Sequence, residues 1–346
     1  MRRWRVLLLA NAAAAVAALP ACAAEFVTVY GTLDASVRSL SNAIAGRHRL
    51  SVDSSASTPS RLGVRGEHAF GVGWNTHFTI EAGVQADTGA QTDASALFNR
   101  QAYVGISSPY GSLDLGRQYT VGFRTAASYD PFGARYPGRI PMVAFTPGAQ
   151  GIVGCQAFNS QSCARFSNDV QFSFSRDGLV LRAEYMAGEQ PGSSAGSARA
   201  VGAVFSRDGY TLGAATTRQR TLDNGLRRNN TAGAAYSDGR LRLSAGWIGD
   251  DVAGKARSRA RWFGGGWQLR PTLALTTAFY RADMARAGQT AEQGRYVVVE
   301  LRYQLSRRTA LYAESERAHW SRGVFFTPAT GGTVQTGVTL GVTHHF

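Results

Sequence analysis

The sequence predicts an all-β chain, a transmembrane barrel of antiparallel strands. Three observations predict it: a leading segment built like an export signal, apolar residues recurring at every second position in segments of about ten, and connections that are alternately tight and long.

The leading segment comes first. Met1-Arg2-Arg3-Trp4-Arg5 precedes an apolar run from Val6 to Leu19 and a small-residue stretch, Ala21-Cys22-Ala23-Ala24. This is the charged, apolar and cleavage-region order of a secretory signal peptide, and the run is shorter than the about 20 residues a helical span needs. Residues 1–24 are therefore expected to be removed, leaving 25–346 as one barrel domain. Cys22 also stands where a lipoprotein signal carries its cysteine, but Pro20 beside the small residue fits that signal poorly. No other stretch reaches 18 consecutive apolar residues, so a membrane role falls to strands.

The strands follow from alternation. Val27, Val29, Leu33 and Val37 alternate with Thr28, Tyr30, Thr32 and Asp34; Phe166, Val170, Phe172 and Phe174 with Ser167, Asp169, Gln171 and Ser173. Leu241, Leu243, Ala245 and Trp247 face away from Arg240, Arg242 and Ser244, and in the last segment Val338, Leu340, Val342, His344 and Phe346 share one face. A soluble sandwich alternates too, and the punctuation separates the two. Tight turns stand at Pro109-Tyr110-Gly111, Arg176-Asp177-Gly178, Arg207-Asp208-Gly209, Ser237-Asp238-Gly239 and Ser306-Arg307-Arg308, with Asp-Gly favouring the hairpin turn. Between them run polar, Gly-rich connections near 39–57, 188–197, 221–229, 250–257, 284–294 and 321–334. Short periplasmic turns and long external loops are the pattern of an outer-membrane barrel, here divided into 16 strands. A barrel of about that size leaves an aqueous channel that side chains alone do not fill.

Charge and cysteines narrow the function. The chain has 37 basic and 23 acidic side chains; without the three arginines of the leading segment, 34 against 23 leave a net charge of +11. Lys255 is the only lysine, so the interior cations are forked guanidiniums that never deprotonate. Cys155 and Cys163 form an even pair in an exported chain, which reads as a disulfide, and neither a second pair nor closely spaced His suggests a metal site. The six histidines, His48, His68, His77, His319, His344 and His345, are read at strand ends or in loops, and no nucleophile with a positioned base assembles around them. The chain is read as no enzyme, without cofactor and without a nucleic-acid partner, because the export signal and terminal aromatic strand do not suit a soluble nucleic-acid-binding protein. A barrel enzyme is the remote alternative.

Particular segments then carry a family resemblance. Val27-Thr28-Val29-Tyr30-Gly31-Thr32-Leu33-Asp34, Ser60-Arg61-Leu62-Gly63-Val64-Arg65-Gly66-Glu67 and Leu97-Phe98-Asn99-Arg100-Gln101-Ala102-Tyr103-Val104-Gly105 are followed by Gly111-Ser112-Leu113-Asp114-Leu115-Gly116-Arg117-Gln118-Tyr119, Asp130-Pro131-Phe132-Gly133 and the terminal Phe346. With these the chain resembles the general diffusion porins of Gram-negative bacteria, in particular those of β-proteobacteria. The resemblance implies a homotrimer of barrels in the outer membrane, surrounded by lipid and lipopolysaccharide, inserted by the barrel-assembly machinery that reads Phe346, and passing small hydrophilic solutes by diffusion. It also implies that the third connection, about 45 residues from Tyr119 to Arg165, folds into the lumen as a constriction.

On that resemblance the wall cations of the constriction are Arg61, Arg100 and Arg165, with Glu81 on the polar face of its strand as a counter-charge. Asp130 is the expected loop carboxylate facing them. Arg135 and Arg139 follow it with no acid before Asp169, a departure from the cation-preferring pattern. A ring of arginines favours anions, so anion selectivity is expected. A substrate-selective channel for phosphate or small carboxylates is the alternative, for which Arg259, Arg261, Arg302 and Tyr312 offer a lumenal row. Arg117, in phase with Leu113 and Leu115, is expected at the trimer interface.

Overall fold

The computed structural model describes residues 25–44, 46–135, 164–288, 290–321 and 333–346. The leading segment 1–24, Arg139, Cys155 and Cys163 lie outside the described residues, and with them the proposed disulfide. In chain order the elements are β1 (Glu25–Ile44), β2 (Arg47–Ser54), β3 (Arg61–Gly71), β4 (Trp74–Gly83), β5 (Gln101–Ser108), β6 (Gly111–Tyr119), the helix α1 (Val121–Ser128), β7 (Arg165–Arg176), β8 (Leu179–Met186) and β9 (Ala198–Arg207). There follow β10 (Tyr210–Arg220), β11 (Leu226–Ser237), β12 (Leu241–Val252), β13 (Ala256–Arg270), β14 (Leu273–Arg286), β15 (Glu292–Gln304), β16 (Thr309–Trp320) and β17 (Val334–His345).

From β3 onward each strand pairs antiparallel with the next in the chain, and β17 returns to β1 to close the sheet. The 17 segments make 16 staves, because β2 and β3 pair with successive halves of β1. Ala35 faces Ser54 and Thr32 faces Arg61, so residues 55–60 interrupt one stave. This corrects the connection expected near 39–57: β1 runs on to Ile44, β2 starts at Arg47, and the irregular stretch sits inside the second stave.

The alternation sorts lipid from lumen. On β16 Leu311 is 44% exposed while its neighbour Tyr312 is 3% exposed, and on β17 Leu340 is 59% exposed against 1% for Thr339. An apolar exterior of this extent is tolerable only against hydrocarbon, and closure leaves no unpaired edge there. One stretch departs from the expected phase. Asn168 takes a left-handed φ of 56°, the alternation slips, and Phe166 joins a buried cluster with Met186 and Ala198 instead of following Val170 outward. At the tight turns Asp177 and Gly178, with φ of 49° and 84°, adopt the pair of positive φ that a type I′ hairpin requires.

The third connection lies against the inner wall. Thr120 caps α1 by accepting from Phe123 N, and the Val121 N–H donates to Glu184 at 2.9 Å. The wall beneath it is made of glycines. A Cβ on Gly202 would stand 2.7 Å from Val121, on Gly213 2.9 Å from the Tyr129 ring, and on Gly264 2.8 Å from Pro131. The missing side chains are the room the loop occupies. Tyr129 then anchors it, bonded to Thr231 at 2.6 Å and stacked on Trp262.

Candidate functional site

Glu81 on β4 is the hub of the barrel wall. It is 3% exposed and accepts from Arg100 Nε at 2.7 Å and the Tyr30 hydroxyl at 3.1 Å, with Arg61 Nε at 3.3 Å. β1, β3 and β4 are neighbours in the sheet, so residues far apart in sequence meet on one carboxylate. Tyr119, at the end of β6, is a second hub: its hydroxyl accepts from Arg100 at 2.8 Å and from Arg165 at 2.6 Å, and the Arg165 guanidinium lies 4.2 Å above its ring. Arg61, Arg100 and Arg165 thus form one connected network with Glu81.

The tip of the loop reaches the wall from the other side. Arg135 donates to Glu300 at 2.5 Å and to Ser57 at 3.3 Å, and Ser57 donates to Glu300 at 2.7 Å. Ser57 belongs to the interruption between β2 and β3, which is tied inward by Asp34: that carboxylate accepts from Thr58 N at 3.1 Å, Tyr312 at 2.8 Å and Thr343 at 2.7 Å. Sequence reasoning missed this inward stretch, having read it as part of an external loop. The sequence's one local signal for it was Pro59, standing among Ser57, Thr58 and Ser60 just before the strand that starts at Arg61.

Asp130 requires a correction. It does not face the wall arginines; it is fully buried and accepts from Phe132 N at 3.0 Å and Ala134 N at 2.9 Å, with Tyr280 at 3.4 Å. Burial pushes this loop carboxyl up to about 6. Its work is to hold the turn Asp130-Pro131-Phe132-Gly133, whose Gly133 has φ of 61°. Between the wall and the tip lies a cavity lined by Arg61, Arg65, Arg100 and Arg135, with Glu81 as its single carboxylate. With Arg135 paired to Glu300 and one charge of the wall arginines met by Glu81, two positive charges remain uncompensated at its walls.

Arg117 donates Nε to the Asn99 carbonyl and Nη1 to the Ser167 hydroxyl, both at 2.7 Å. It holds the connection 84–100 against β7. Arg259 and Arg261 do not line the lumen: they alternate with buried Ala260 and Trp262, which puts them on the outward face. Arg302 is lumenal, 3.4 Å from Ser57. His77 lies within β4 and not at a strand end, bonded to Asp114 at 2.6 Å.

Comparison with known proteins places this architecture. The family profile described as "Gram-negative porin" matches residues 10–321. The chain is a member of the Gram-negative porin family. It is 26% identical to outer membrane porin protein 32 of Delftia acidovorans, over 94% of this chain and 95% of that one. Its fold matches the anion-selective porin from Comamonas acidovorans with a TM-score of 0.80 at 22% identity, covering 93% of this chain and all of that one. OmpT of Vibrio cholerae in its trimer form matches with a TM-score of 0.68 at 15% identity, over 93% of this chain and all of that one. The protein is thus an outer-membrane β-barrel channel, and the relatives are channels and not enzymes.

In this porin Phe346 completes the closure seam. Its N–H donates to Gly31 O at 3.1 Å and its carbonyl accepts from Gly31 N at 3.0 Å. Its ring covers Gly31, where a Cβ would stand 2.3 Å from it.

Proposed function

We propose that this porin passes small hydrophilic solutes with a preference for anions, and that the cavity between β3–β5 and the loop tip is the constriction that sets the preference. The supporting observation is the imbalance there: Arg61, Arg65, Arg100 and Arg135 line the space, and the one carboxylate, Glu81, is buried beneath its own arginines. The loop acid that would oppose them, Asp130, is turned into the barrel wall. A unit charge acts on an ion at about 4 Å with about 1 kcal/mol even in bulk-like water, so the two excess charges left once Arg135 is paired to Glu300 bias passage several-fold. The anion-selective porin from Comamonas acidovorans, which shares this fold, agrees with this reading.

The porin works as a homotrimer on this account, as the Vibrio relative in its trimer form suggests, with residues 1–24 removed on export. The functional test is the zero-current potential of the reconstituted protein across a planar bilayer in a KCl gradient. A potential of the sign set by chloride supports the proposal; one set by potassium rejects it.

A further inference from the structure

The lining of the constriction carries a second chemistry besides charge. Four aromatic rings, those of Tyr30, Tyr103, Tyr119 and Phe123, line the same cavity of about 470 Å³ as its arginines. The charge network accounts for two of them: the Tyr30 hydroxyl donates to Glu81, and the Tyr119 hydroxyl accepts from Arg100 and Arg165. Phe123 has no polar atom and no such part. It stands on α1, on the loop side of the cavity, and is only half-buried.

The rings are held in place from loop and wall. Phe123 stacks on Tyr119 with centroids 4.8 Å apart and planes 13° from parallel, so helix and strand end together form one flat platform. On the wall Tyr30 lies over Gly63, where a Cβ would stand 2.5 Å from it, and the Arg65 guanidinium sits 5.3 Å from its ring. Tyr103 is paired with Thr79 across β4–β5, beside the same space. The interior of a porin barrel is ordinarily polar, and ring surface left against its water forgoes the gain of burial. A flat apolar solute lying on these rings would recover that gain.

We propose that the constriction favours planar aromatic carboxylates, solutes of the benzoate class, among the anions it passes. The inference rests on the anion preference proposed above and names the solute that preference serves best. Each half of such a molecule finds its complement in the cavity. Its carboxylate meets the two uncompensated guanidinium charges, whose planar fork matches two carboxylate oxygens. Its ring meets the platform of Phe123 and Tyr119 or the rings of the wall, where offset stacking adds to the area buried. Chloride uses the charge alone, and a saturated acid uses charge and area without the stack. The volume is that of a small-molecule site.

The test is a titration of the chloride current of the porin in a planar bilayer, at neutral pH, with benzoate, cyclohexanecarboxylate and benzamide. Benzoate is expected to lower the current saturably, at about fivefold lower concentration than cyclohexanecarboxylate, the factor an aromatic stack carries. Benzamide, a ring of the same shape without charge, should act more weakly than either. Phe123→Leu, which keeps apolar volume and removes the ring, should bring benzoate close to cyclohexanecarboxylate, and Phe123→Tyr should retain the difference. Should the leucine variant fail to conduct, the comparison in the wild type decides alone. The zero-current potential in a KCl gradient is read on the same membranes: a potential set by potassium would overturn this inference together with the anion preference it rests on. With a potential set by chloride, benzoate acting no more strongly than cyclohexanecarboxylate, benzamide matching benzoate, or a preference that survives Phe123→Leu would each overturn the aromatic site alone.

Discussion

Glu81 is held at 3% exposure by Tyr30, Arg61 and Arg100, so replacing it acts on two arginines at once. Glu81→Gln is expected to add one uncompensated positive charge to the cavity and to move the zero-current potential further toward anions. It should also lower resistance to denaturant by up to about 3 kcal/mol, the lower end for a broken buried pair. An unchanged potential would mean that passing ions do not feel this carboxylate. At this scale the sequence was informative where alternation ran clean: Arg61 and Glu81 stand on polar faces in phase with their neighbours. It was misleading for Asp130, because a carboxylate that caps its own turn and one that faces a pore look alike in sequence. Tyr119 was passed over for a related reason, since a tyrosine ending a strand reads as an interfacial aromatic and not as the acceptor between two arginines.

The elements that place these residues are the third loop and the closing seam. The loop's path depends on glycines, and a Cβ on Gly213 would stand 2.9 Å from Tyr129 and 3.2 Å from Thr125, both side chains of the loop segment. Gly213→Val should therefore displace the loop and change single-channel conductance with no change of charge, while the strand itself gains β propensity. Unaltered conductance would show that the loop does not define the narrow point. At the seam, Phe346→Ala keeps both backbone bonds to Gly31 and loses a ring that is 44% exposed, a cost of about 1 kcal/mol. Deleting Phe346 should reduce membrane assembly far more than that cost explains; normal assembly of the truncated chain would leave the residue only a structural role. Strand positions and tight turns were legible because period two and Asp-Gly are local signals. The break at 55–60 was not, since its stabilising partners, Asp34, Glu300 and Arg135, come from distant parts of the chain.

For the whole molecule, closure into 16 staves makes a water-filled interior, and the fold then decides which charges face it. Outward arginines such as Arg257, Arg259 and Arg261 on β13 contribute to the net charge without touching the pore, so the overall positive charge is no guide to selectivity; the cavity lining is. The most direct test replaces Arg61, Arg100 and Arg165 together with Gln, which keeps most of the volume, and records the zero-current potential across a bilayer in a KCl gradient at low and high mean salt. The screening length falls from about 10 Å at 0.1 M to about 3 Å at 1 M, so the wild type should prefer chloride strongly at low salt and weakly at high salt. The triple variant should remain an open channel with that preference reduced or lost at both. A variant that kept the full wild-type potential at low salt would contradict the account.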